Sequence, residues 1–337
     1  MGLVRKLARS PEPAIQWRVR VRALEEDRDS ARIRELERRV RASALAQRLL
    51  AHRFAPYRSG TNHSIYHYWQ GFHWALASVA DIGYPPRDPD LAPILDQALS
   101  LWVHPRYEQS VVVRDGTRKT SHRGVSVIDG RYRRCASEQG NALWYATNLG
   151  YAEDERVARL AELLLRWQWP DGGWNCDRRP AADTSSFMET LSPMRGLAAL
   201  AGHSGSTELR RASERAAEVF LERRLYRRRS DGRVIRPDFV RLHYPLYWHY
   251  DVLGGLKGLA EAGRIHDSRC ADALDWLEEQ ELPGGGWPAH ARYFRVSSRF
   301  ETGAEYVDWG GSDRRLSNPW VTTDALFVLR AAGRLAG

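Results

Sequence analysis

Gly150 to Trp174, GYAEDERVARLAELLLRWQWPDGGW, aligns without a gap with Gly263 to Trp287, GRIHDSRCADALDWLEEQELPGGGW. The two stretches share Gly150/Gly263, Asp154/Asp267, Arg156/Arg269, Leu164/Leu277, Pro170/Pro283, the paired glycines before the tryptophan, and Trp174/Trp287. Each reads as one unit. A helix ends at a glycine that tolerates the left-handed conformation. An aspartate then caps a second, amphipathic helix, on which Val157, Leu160, Leu164 and Trp167 fall at helical spacing. Proline and glycines stop that helix, and the tryptophan plugs the turn.

Working outward, Leu143 and Leu256 each stand seven residues before the glycine of their unit, and the same spacing recurs as Leu76/Gly83 and Leu326/Gly333. A worn copy occupies 184–233. One hairpin cannot bury its apolar face alone, so the copies must stack. An open solenoid and a closed ring obey the same logic, and periodicity does not separate them. The expected inner helices are 64–82, 137–149, 185–201, 246–262 and 319–332. Residues 1–60, with Pro11-Glu12-Pro13 and a charged helix from about Ser30 to His52, read as an N-terminal helical cap on a repeat domain spanning 61–337. Segments 104–134 and 291–318 are polar, glycine-containing connections with the look of lids or short strands.

Composition narrows the class. The 337 residues are 43% hydrophobic, with 13 Trp, 14 Tyr and 8 Phe to build a core. No apolar run reaches membrane-span length. The start, Met1-Gly2-Leu3-Val4-Arg5-Lys6-Leu7, lacks the apolar stretch of a secretory signal, so the cytoplasm is the expected location. Contact with a membrane surface and the oligomeric state stay open. Cys135, Cys176 and Cys270 are far apart and form no CxxC pair, which reads as three reduced thiols. The formal charge is +9, nearly all from arginines that alternate with acids as on a solvated helix face. The patch Arg223, Arg224 and Arg227 to Arg229 is the densest exception, and no nucleic-acid partner is expected.

The Gly-Gly-Trp units carry a resemblance. Gln168-Trp169-Pro170-Asp171-Gly172-Gly173-Trp174, its second copy Gln280 to Trp287 and the closing Trp320-Val321-Thr322-Thr323-Asp324-Ala325-Leu326 look like the QW-type repeats and inner helices of squalene-hopene and related terpene cyclases. The resemblance covers roughly 65–337. It implies an all-α fold, an α/α toroid of repeated helical hairpins shared by terpenoid cyclases and protein prenyltransferases. The chain lacks that superfamily's DxDD acid motif and its DDxxD diphosphate motif. Where the prenyltransferase zinc motif has Asp-x-Cys, this chain has Asp183-Thr184-Ser185.

In such a toroid the N-terminal ends of the inner helices converge on one mouth. The expected substrate-binding residues there are Trp69, His73, Trp144, Asp183, Glu189, His243, Tyr244, Trp248, His249, Trp320 and Asp324. Glu138 and Asp251 each lie five residues before a repeat leucine and are the expected catalytic pair. Helix N-termini also favour carboxylates simply as caps. In the functional reading, one acid desolvated by Trp144 and Trp248 delivers a proton. The dense aromatics Tyr66, Tyr68, Trp69, Phe72 and Trp74 would steady a cation, at about 0.5–2 kcal/mol per face. His243, His249 and Asp251 with His67 or His73 could gather round a metal, but no motif stands behind that spacing, so neither metal nor cofactor is expected.

The leading expectation is thus a terpene-cyclase-like enzyme that acts on an isoprenoid or similar apolar substrate by acid-initiated carbocation chemistry. Two alternatives stand beside it: a non-catalytic toroid that binds a lipid or a partner, and a carbohydrate-processing enzyme working with two carboxylates.

Overall fold

Helices are the main elements of the computed structural model, which describes residues 2–51, 63–113 and 123–335. The N-terminal run holds α1 (Gly2–Leu7), α2 (Pro13–Arg18, continued by a π turn, Val19–Ala23), α3 (Ala31–Ala42) and α4 (Ala44–Leu49). Next come α5 (His63–Tyr66), α6 (Phe72–Asp81) and α7 (Ala92–Trp102). A small sheet of β1 (Ser110–Val112), β2 (Val125–Ile128) and β3 (Arg131–Arg133) lies in the first long connection. Its residues 114–122 fall outside the described part.

The repeats continue with α8 (Ala136–Asn148), α9 (Glu155–Trp167), α10 (Phe187–Ser204), α11 (Thr207–Leu221), α12 (Val252–Glu261) and α13 (Ala271–Glu279). The second long connection carries the short strands β4 (Pro288–Ala289), β5 (Arg295–Val296), β6 (Ala304–Glu305) and β7 (Asp313–Ser317), and α14 (Pro319–Ala331) ends the chain's helices.

The unit read from the sequence is built as expected. Gly83, Gly150, Gly263 and Gly333 all end helices with φ between +69° and +87°. Asp154 accepts from the Arg156 amide and Asp267 from that of Arg269, each starting an outer helix. Val157, Leu160, Leu164 and Trp167 are buried, each stabilising by about 1.5–3 kcal/mol relative to exposure. Trp174 and Trp287 are both 1% exposed. Each indole donates to the carbonyl ten residues back, Leu164 and Leu277, at 3.0 and 2.7 Å.

The ring closes. Inner helix α8 packs against α6 and α10, α10 against α12, and α12 against α14; α14 meets α2 and its π turn, and α4 returns to α6. Helices α7, α9, α11 and α13 stand outside their inner partners. The fold is therefore an all-α toroid, and the N-terminal helices expected as a cap stand between the last inner helix and the first. Helices α8 and α10 touch backbone to backbone, since a Cβ on Gly140 would lie 2.2 Å from Pro193 N.

Two expected inner helices are shorter than the sequence suggested. The first breaks between Tyr66 and Phe72, and α12 starts at Val252 rather than 246. Tyr247 has φ +49°, which a helix does not accept, so Tyr247 to Asp251 form an irregular loop. The second connection folds over residues 68–70. Trp69 N donates to Ala304 O (2.9 Å), Gly303 N to Tyr68 O (2.7 Å) and Glu301 N to the Gln70 amide oxygen (2.8 Å).

Candidate active site

The inner helices surround a cavity enclosing ≈ 660 Å³ of space free of atoms, part of it open to solvent. Its aromatic wall comes from Trp74 on α6, Trp144 on α8, and Tyr244 and Tyr247 on the loop before α12. Its polar lining comes from Asp81, Asn141, Arg195, His243, Asp251, Lys257 and Asp324. Of the expected site residues, Trp144, His243, Tyr244, Asp251 and Asp324 line this one space.

The floor is an ion cluster. Arg18, 0% exposed, reaches Asp81 on α6 and Asp324 on α14. Lys257 Nζ lies 2.9 Å from Asp81 and 2.8 Å from Asp324, and Arg22 adds a contact of 3.0 Å to Asp81. Tyr244 donates its hydroxyl to Asp81 at 2.9 Å. Burial alone would raise the Asp81 pKa, but Arg18, Lys257 and Arg22 outweigh it and hold the carboxyl well below its usual range. Asp81 is therefore ionised and has no proton to give.

Asp251 is engaged on both oxygens. Oδ1 accepts from the Gly254 amide (2.7 Å) and so caps α12; Oδ2 accepts from the His243 amide (2.9 Å) and faces His243 Nδ1 at 2.8 Å. That Nδ1 also faces Arg241 O at 3.2 Å. In the neutral imidazole, acceptors on both approaches place the proton on Nδ1 and the lone pair on Nε2. Nε2 is buried and has no hydrogen-bond partner among the described residues.

Glu138 stands elsewhere, paired with Arg134, and burial raises its pKa despite that partner. It shares its surroundings with Glu189, whose Oε2 accepts from Ser137 N and Oγ at 3.0 and 2.8 Å and whose pKa burial also raises. Neither lines the central cavity with Asp251, so equal spacing from the repeat leucine does not bring the expected pair together. The reason is local: Glu138 is the third residue of its helix, whereas Asp251 is the cap of its own.

The remaining expected residues scatter. His73 is a core group, accepting from Trp102 Nε1 and meeting Asn141, with its pKa pushed down to about 3 by burial. Trp320 is buried in a stack with Tyr244. Asp183 is exposed on the loop before α10. His249 lies between Trp248 and Tyr293, with ring centroids at 4.2 and 4.1 Å, and burial followed by the neighbouring His243 lowers its pKa to about 4. Trp69 stacks on Tyr247 at 4.2 Å.

One carboxyl that the sequence reading passed over stands behind this aromatic layer. Glu305, on β6, is 1% exposed, and burial pushes its pKa up to about 7 against the opposing hydrogen bonds. Tyr247 Oη donates to its Oε2 at 2.7 Å. A lone glutamate in a polar connection gives no signal in sequence. As for metal ligands, His243, His249 and Asp251 do not gather with His67 or His73. Among the described residues, the side chains whose ligand atoms do converge are Cys135, Cys176 and Glu189.

The sequence matches no protein-family model and no curated protein. Among solved structures, an unsaturated glucuronyl hydrolase from Bacillus sp. GL1 is similar at 16% identity, covering 94% of this chain and 84% of its own, with TM-score 0.43. A type II terpene cyclase from Scytonema, in structures with its product and with geranylgeranyl dihydroxybenzoate, is similar at 15% identity, covering 98% and 99%, with TM-score 0.25.

Proposed function

We propose that this chain is an enzyme that starts carbocation chemistry on an isoprenoid-like, apolar substrate by protonating it, with Glu305 as the acid. One observation carries the reading: a buried carboxyl, still half protonated near neutral pH, is hydrogen-bonded to a tyrosine that forms part of an aromatic cavity wall. A general acid works best when its pKa lies near the working pH.

With Glu305 protonated, the hydrogen bond runs the other way, from the carboxyl hydroxyl to Tyr247 Oη. As that proton moves to Oη, the phenol's own proton, turned away from Glu305, adds to a substrate double bond, leaving glutamate and a carbocation. Trp74, Trp144 and the Tyr247–Trp69 stack face the cation with π-electrons and keep water away. His243 Nε2, held in its tautomer by Asp251, takes a proton from carbon to end the reaction as a new double bond forms. One proton enters and one leaves, so substrate and product are isomers. In this reading Asp251 is a positioning residue and Glu138 takes no part.

The test is turnover against a panel of squalene-like hydrocarbons and prenyl diphosphates, with and without Mg²⁺, followed by mass spectrometry. Glu305→Gln should lose at least roughly 100-fold in turnover, the scale of a general acid. Unchanged turnover would remove Glu305 from the mechanism.

A second reading, carbohydrate processing, is favoured by the polar floor, where Asp81, Asp324, Lys257 and Arg195 offer hydrogen bonds that a hydrocarbon cannot use. Water-added cleavage of an oligosaccharide, with no isomerised terpenoid, would select it. A ligand that co-purifies unchanged would select the non-catalytic toroid.

A further inference from the structure

Cys135 and Cys176 are forty-one positions apart in a chain with three cysteines, yet the fold sets them side by side. Cys135 directly precedes α8, two residues after β3. Cys176 follows the Gly-Gly-Trp turn that Trp174 plugs. A parallel bridge between Arg133 and Asn175 holds the two segments in register just before the thiols. Glu189 enters from the first turn of α10. Its Oε2 is tied down by Ser137, and its Oε1 is turned to the Cys176 sulfur at 3.5 Å. The two sulfurs and one carboxylate oxygen all lie within 4.8 Å of one another.

We propose that Cys135, Cys176 and Glu189 bind a thiophilic divalent cation of the zinc class, with one coordination position open. Tetrahedral zinc with bonds of about 2.3 Å to sulfur and 2.0–2.2 Å to oxygen sets its ligand atoms about 3.6–3.8 Å apart. The three groups need only a small contraction to reach that. Two thiolates select a soft or borderline ion over magnesium or calcium, and the single oxygen ligand suits zinc. Three protein ligands leave the fourth position for water or a substrate atom, the arrangement of reactive rather than purely structural zinc sites. Ser137 supplies the outer support, since its amide and hydroxyl hold Glu189 in the orientation that aims Oε1 at the thiols. All three ligands are only part-buried, which leaves an entry path.

The site stands on geometry separate from Glu305 and does not depend on the proposed reaction.

The test uses the full chain, reduced and stripped with a chelator, then titrated with Zn²⁺ and separately with Co²⁺. The expected result is one equivalent of either ion and a near-ultraviolet thiolate-to-cobalt charge-transfer band. The band should survive Cys270→Ser and be lost in Cys135→Ser and in Cys176→Ser, with Glu189→Gln weakening uptake. In the Cys270→Ser protein only Cys135 and Cys176 remain, so the band there identifies the thiols even where a further variant fails to fold. Folded wild-type protein that takes up no stoichiometric ion, or a cobalt complex without the thiolate band, would overturn the site.

Discussion

Glu305 shows what burial does to one residue. An exposed glutamate ionises near pH 4.5, and this one near 7. The raised pKa means that the folded state prefers the neutral form, so the group's favourable contribution is complete below pH 4.5. It is then lost as the pH rises through 7. The loss amounts to about 3 kcal/mol at pH 8. Glu305→Gln, which keeps the shape but cannot ionise, should therefore unfold at higher denaturant than wild type at pH 8 and at equal denaturant at pH 4. Equal midpoints at pH 8 would show that the carboxyl is not held neutral. In the proposed reaction the same proton starts the chemistry, so turnover should fall as the pH passes about 7. None of this was visible in sequence, because Glu305 differs from dozens of other acids only in where it is buried. Asp251 was visible as an acid at a helix start, and it caps that helix as such acids commonly do.

Elements were legible where a repeat wrote them twice. The glycine stops, the aspartate caps and the tryptophan plugs sit where the aligned units put them, since each is a local rule of backbone conformation or a contact ten residues back. Two helix starts at the mouth, those of α6 and α12, lie later than the sequence pattern places them. Tyr247, Trp248 and Tyr250 are apolar enough to extend the pattern of α12, but they lie on a loop before it, from which Tyr247 lines the cavity, and local periodicity does not encode that. Contact between neighbouring helices gives a sharp prediction. Gly140→Ala drives a methyl group into the Pro193 backbone at 2.2 Å and should destabilise by about 1–3 kcal/mol. Gly202→Ala, on α10 with nothing within 4 Å of the added carbon, should instead gain up to about 1 kcal/mol. Urea melts of the two variants should move in opposite directions; movement in the same direction would contradict the packing of α8 on α10.

At the scale of the whole molecule, closure of the ring depends on groups more than three hundred positions apart, and no repeat analysis reaches that far. Arg18, in the segment expected as a cap, is buried between Asp81 of the first inner helix and Asp324 of the last. Removing one partner of a buried ion cluster leaves charge uncompensated, so Arg18→Ala should lower the unfolding free energy by about 3–5 kcal/mol. A change below roughly 1 kcal/mol, the size of an exposed pair, would show that the cluster is not what joins the ends. The thiol pair has the same origin: two cysteines unremarkable in sequence become neighbours only because β3 and the turn after α9 lie in register. The cavity that closure creates offers the proposed chemistry an aromatic wall, with the proposed acid behind it and the proposed base on its lining.

The measurement that tests the central claim most directly is the reaction run in D₂O with the isoprenoid panel, its products read by mass spectrometry. Protonation by Glu305 through Tyr247 predicts a cyclised isomer carrying a single solvent deuterium, absent with Glu305→Gln. A product without solvent deuterium, or one formed by addition of water across a cleaved bond, would contradict it.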